Sequence, residues 1–242
     1  MTTSISILLK SFVDSDLFGK GIFCSLFMLS ILSWIVIGYK VYCYYMIRKK
    51  IKHDLSIFQE TKEGILNLSF IQGDNLNHPF AELYERMKDK TLKILEKNQF
   101  FSKNSDQLIF LSKNDLDLIS QDLASAVAYE TKKIEQGLFI LNTSTSLAPF
   151  LGILGTVWGI LISLFEMQKG SSSFSNTIII QGLSTALATT VIGLLIAIPA
   201  LIGHSYLKSI ARSIHMDMGL FCNDLMTKLE LQYKRVESYG SE

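Results

Sequence analysis

Four threonines are the residues of this sequence best placed to do chemistry away from water. Thr156 lies in one long apolar segment, and Thr185, Thr189 and Thr190 lie in another. A hydroxyl inside a bilayer has three uses. It can bond the carbonyl one turn back on its own helix, it can glue one helix to another, or it can line a wet path for a proton or a hard cation. The neighbouring residue types bear on that choice. On a helical wheel Ala148, Gly152, Gly155, Thr156, Gly159 and Ser163 share about a third of the circumference. Gly182, Ala186, Thr189, Thr190, Gly193, Ala197 and Ala200 lie along one broad face, with Thr185 at its edge. Gly155 and Gly159 form a small-xxx-small pair of the kind that lets helix backbones approach closely. Each segment also carries a proline, Pro149 and Pro199, which removes a backbone donor and favours a bend. Small residues can pack two helices together and do nothing more, or they can flank a proton-accessible interior; residue types alone leave both readings open.

Other chemistries find little support. The 4 histidines are scattered, and none pairs with another histidine or a cysteine at ligand spacing. Cys24, Cys43 and Cys222 have no metal-like spacing and read as reduced packing residues. There is no phosphate-cradling glycine loop and no nucleophile elbow. His204 is the only candidate base near an apolar segment, without a nucleophile beside it. No metal or organic cofactor is expected and no enzyme activity is indicated. A net charge of +1 gives no footprint for nucleic acid.

The elements that must position the threonines follow from hydropathy. Three apolar runs, at 21–47, 143–167 and 177–207, are each long enough to cross about 30 Å of hydrocarbon. Tyr39, Tyr42, Tyr44 and Tyr45 cluster at the end of the first, as aromatic belts do at an interface, and the run RKKIK follows at 48–52. Positive charge marks the cytoplasmic side, so 1–20 is expected outside, 48–142 in the cytoplasm, 168–176 as a short outer connector and 208–242 in the cytoplasm. The chain is therefore expected to be all-α: an integral membrane protein with three transmembrane helices, and with long helices extending into the cytoplasm.

Within 48–142, residues 79–98 place Phe80, Leu83, Tyr84, Met87, Leu92 and Leu95 near helical spacing, with Pro79 suited to a first turn. A loop is expected at 69–78. Ser112 and Asp115 form a capping box for a second helix. Its apolar positions, Leu116, Ile119, Leu123, Val127, Ile134, Leu138 and Leu141, continue at threes and fours, which predicts one unbroken helix running into the second span. Asp115, Asp117, Asp122, Glu130, Lys132, Lys133 and Glu135 read as its solvated side. The tail is amphipathic through Ile210, Ile214, Leu220, Phe221, Leu225 and Leu229.

LAPFLGILGTVWGIL, at 147–161, resembles the second-span motif of the TolQ and ExbB proteins, within the MotA/TolQ/ExbB proton-channel family, and GLSTALATTVIGLLIAIPALI, at 182–202, resembles their third-span motif. The resemblance implies a ring-forming homo-oligomer, a pentamer, in the bacterial inner membrane. It implies a TolR- or ExbD-like single-span partner in the central pore and a TolA- or TonB-like protein reaching across the periplasm. Protons are the implied coupling ion, and hydroxyl and carbonyl oxygens would also suit sodium. By position Thr156 and Thr190 match the family's pore-facing threonines. The motif usually carries glutamate where this chain has Thr185, and Glu166, at the outer end of the second span, does not replace it. A non-conducting ring that scaffolds an envelope complex is the alternative this departure suggests.

Overall fold

The computed structural model describes residues 11–13, 15–60, 65–67, 79–101, 110–168 and 175–233. The loop expected at 69–78 lies outside them, as do 169–174 of the expected connector, 1–10 and 14 of the N-terminal segment, and 234–242 of the tail. The described residues are helical apart from short connections. The helices are α1 (Leu17–Glu60), α2 (Pro79–Phe101), α3 (Lys113–Glu135), α4 (Leu138–Gln168) and α5 (Ser175–Tyr233), with a 3₁₀ turn at Ile65–Asn67. Three of them hold stretches long and apolar enough to cross a membrane, Leu17–Ile51, Leu138–Gln168 and Gly182–Tyr233. At 1.5 Å per residue, α1 runs for about 66 Å and α5 for about 88 Å, well beyond a bilayer's hydrocarbon.

The chain divides into two compact units, Met1–Val41 with Gly137–Lys208, and Tyr42–Gln136 with Ser209–Glu242. The second unit packs α2, α3 and the flanking ends of α1 and α5 around large side chains. Leu83, Tyr84, Met87, Ile119, Leu123, Ile214, Met218, Leu225 and Leu229 are all buried there. Phe80 and Phe221 meet at 5.1 Å between ring centroids. Backbone groups next to the helices are tied in as well. The Tyr84 hydroxyl donates to Ile65 O at 2.8 Å, Ile65 N donates to Gln232 Oε1 at 2.9 Å, and Leu111 N donates to Tyr233 O at 2.8 Å. Cys222 is free and buried, and burial pushes its thiol up to about 11, as suits an inert packing residue.

Several expectations need correction. The helix predicted to run unbroken from 112 into the second span is interrupted: α3 ends at Glu135, Gln136 and Gly137 form a turn, and α4 begins at Leu138. Gly137 has φ 92°, a backbone conformation that disfavours any side chain. The apolar spacing from Ile134 through Leu138 to Leu141 carries on across the turn, and all three are buried, so periodicity did not register the break. In α2, Leu92 is exposed, and Thr91 and Ile94 take the inward positions. In α5, Leu220 is exposed, and the inward seam runs Leu207, Ala211, Ile214, Met218, Phe221, Leu225, close to alternating fours and threes. Glu130 is buried rather than solvated, because its carboxylate pairs with Lys133 Nζ at 2.8 Å. That bond holds the Lys133 ammonium above its ordinary pKa.

The expected capping box is present. Ser112 caps α3, its hydroxyl accepting from Asp115 N at 3.2 Å, while the Asp115 carboxylate accepts from Ser112 N at 3.0 Å. Burial works to raise the Asp115 carboxyl, but the Ser112 backbone and hydroxyl bonds and one from Asn98 outweigh it and hold it below the usual carboxylate range.

Candidate functional site: the glycine seam between α4 and α5

In the first unit α4 and α5 meet through the small residues picked out by the wheel. Ala148, Gly152, Gly155 and Ser163 of α4 are buried, as are Ala186, Thr189, Gly193, Ala197 and Ala200 of α5. The approach leaves no room for side chains. A Cβ on Gly152 would lie 2.9 Å from Thr190 Cα, and one on Gly193 would lie 2.6 Å from Ala148 O. A Cβ on Gly159 would sit 2.7 Å from Ala186 Cβ, and one on Gly155 would sit 2.7 Å from Thr189 Cβ. On Gly182 it would collide with the Ser163 hydroxyl. Glycine is therefore set along this seam by backbone proximity at Gly152 and Gly193, and by the facing side chains of Thr189, Ala186 and Ser163 at Gly155, Gly159 and Gly182.

The threonines divide into two sets. Thr189 and Thr190 reach across the seam to one atom: Thr190 Oγ1 donates to Gly152 O at 3.0 Å, and Thr189 Oγ1 approaches the same oxygen at 3.2 Å while donating to Ala186 O at 2.6 Å. Thr189 is buried and Thr190 is half-buried. Thr156 serves its own helix, donating to Ile153 O at 2.7 Å, and stays half-buried, as does Thr185. Each donated hydroxyl keeps its lone pairs, so the half-buried Thr156 and Thr190 can each still accept a hydrogen bond. Pro149 and Pro199 both lie inside their helices, which continue through them.

Two features escaped the sequence reading. The Trp158 indole donates to Asp16 Oδ2 at 2.9 Å and meets the Phe18 ring at a tilt, 4.4 Å between centroids. Asp16 also accepts from Gly19 N at 3.1 Å and so caps α1. An aspartate three residues before a glycine at the head of an apolar run was the available signal. Lys40 is buried within the first span, its stem near Gly137. In the apolar windows of α1, α4 and α5, only 22%, 22% and 33% of residues are buried by the chain itself. Most of each span's surface is thus left for lipid or for other proteins.

The family model described as the MotA/TolQ/ExbB proton channel family matches residues 93–219, a stretch that contains the whole seam. The chain belongs to this family. Among similar proteins, the biopolymer transport protein ExbB of Xanthomonas campestris pv. campestris (strain B100) is 34% identical over 110 residues, covering 45% of this chain and 43% of that protein. The Tol-Pal system protein TolQ of Haemophilus influenzae is 33% identical over 107 residues, covering 44% and 46%. The biopolymer transport protein ExbB of Helicobacter pylori (strain J99) is 38% identical over 102 residues, covering 42% and 66%. The matched region spans less than half the length of the Xanthomonas and Haemophilus proteins. Family membership and three membrane-length helices together describe a membrane protein of the ExbB and TolQ type.

Proposed function

We propose that this chain is the ring-forming subunit of a proton-driven motor in a bacterial inner membrane, with its N-terminus in the periplasm and its C-terminus in the cytoplasm. The ring is a pentamer around a TolR- or ExbD-like single-span helix. Proton flow past the ring moves that helix, and a TolA- or TonB-like protein carries the work to the outer membrane. The observation that carries this reading is the pair of half-buried hydroxyls, Thr156 and Thr190, beside a close-packed glycine seam within the family-matched region. Rigid backbone contact holds them in place, and each retains acceptor lone pairs for water or a protonated partner carboxyl.

The test is complementation of a deletion strain with Thr156→Val or Thr190→Val. Each variant is expected to accumulate normally and to fail in envelope function, and full function in both would remove the proton role. A second reading, a ring that scaffolds without conducting, is favoured by two observations: Thr185 stands where the family's glutamate is usual, and Thr189 spends its hydroxyl inside the seam. The two readings part when the proton gradient is collapsed with an uncoupler. Partner motion stops in the first and continues in the second, and replacing sodium in the medium isolates a sodium-driven variant of the first.

A further inference from the structure

We propose that the bend-prone position of α5 at Pro199 binds one water molecule, held between α5 and α1. Pro199 has no backbone N–H, so the carbonyl of Leu195 one turn back loses its helical donor. Inside a bilayer such a carbonyl needs another partner. Leu195 and Pro199 together line a partly open cleft of about 20 Å³, and its opposite wall is α1, through Ser30, Ser33 and Trp34. One water needs roughly 10–15 Å³ on the same measure, so the space admits one and not a cluster.

The lining supplies the polar partners a water requires. Ser33 is almost fully buried and donates its hydroxyl proton to Leu29 O at 2.8 Å, which leaves its lone pairs to accept. Ser30 lies one turn before on the same face of α1 and contributes a second hydroxyl. A water here would donate to Leu195 O and to Ser33 Oγ and accept from Ser30 Oγ, three bonds, as many as an ordered structural water commonly makes. The walls are held together just beyond the cavity. Ala200 is buried, and a Cβ on Gly203 would lie 2.7 Å from Ile37 Cδ1, so α1 and α5 touch closely there and the space cannot close by a simple approach of the helices. The hydration of α5 at its proline is thereby set by serines of α1 and not by the seam with α4.

A double-mutant cycle on the full chain in detergent tests this. Pro199→Ala restores a donor to Leu195 O and makes the water dispensable. Ser30→Ala is expected to lower Tm by about 2–4 °C in the parent and by less than about 1 °C in the Pro199→Ala background. Equal losses in both backgrounds would overturn the proposal. If Pro199→Ala does not fold, cryo-electron microscopy of the full chain in lipid nanodiscs decides. A density peak within hydrogen-bond reach of both Leu195 O and Ser30 Oγ supports the site, and a collapsed cavity or acyl-chain density within it refutes the site.

Discussion

The seam in the first unit and the core of the second solve the same problem, holding helices together, with opposite residue types. Gly152 and Gly193 bring α4 and α5 into backbone contact, and Gly155, Gly159 and Gly182 let the small side chains of Thr189, Ala186 and Ser163 fill the space between them. Leu83, Tyr84, Met87, Ile119 and Leu225 keep α2, α3 and the end of α5 apart by the width of large side chains. The two sets of residue types suit different settings. In water, association is driven by removing apolar area, so big side chains bring helices together. Between apolar spans lipid competes equally for such side chains, and close packing with a few hydroxyl bonds must supply the attraction. The two hydroxyls aimed at Gly152 O belong to the second kind of contact, and the Phe80–Phe221 ring pair belongs to the first.

The comparison can be broken at three points. The largest effect is expected from Leu225→Ala, which empties a fully buried site in the second unit and should cost about 2–5 kcal/mol in chemical denaturation of the full chain. A loss under ~1 kcal/mol would mean that this core is not the main support of its unit. Next comes a pair of identical substitutions with opposite sign. Gly152→Ala drives a methyl against the Thr190 backbone and should destabilise by about 1–3 kcal/mol. Gly219→Ala, also on α5 but with nothing within 4 Å of its Cβ, should stabilise by about 0.5–1 kcal/mol through helix propensity. Stabilisation by both would show that the seam is looser than its geometry. The smallest effect concerns the α3 cap. The Asp115 carboxyl lies below its ordinary 3.8, so its contribution is complete above that value and is lost as pH falls through the lower folded value. Ser112→Ala should cost ~1 kcal/mol near neutrality and flatten this acid-side slope, read from unfolding curves between about pH 5 and 2.

Much of this was legible before any coordinates. Ser112 and Asp115 announce their helix start because a capping box is made by residues three apart. The small-residue faces of both spans were legible for a related reason, since a helix puts residues three and four apart on one side whatever it packs against. Glu130 was misplaced because a charge at helical spacing reads as solvated, whereas here it is buried with its carboxylate paired to Lys133. Leu92 and Leu220 failed for a similar reason: hydrophobic spacing defines a face but not its width, and Thr91 and Met218 took the inward places.

By itself, then, the sequence determined three membrane-length helices, the glycine and hydroxyl faces of two of them, and through those motifs the family. These are properties of composition and of helical repeat, which act over one or two turns. Only the tertiary structure decided that Thr189 and Thr190 converge on the carbonyl of Gly152, that α3 and α4 part at a left-handed Gly137, and that Trp158 bonds Asp16. Each of these joins or separates groups whose partner is chosen by packing in three dimensions, and one-dimensional periodicity carries no record of that choice.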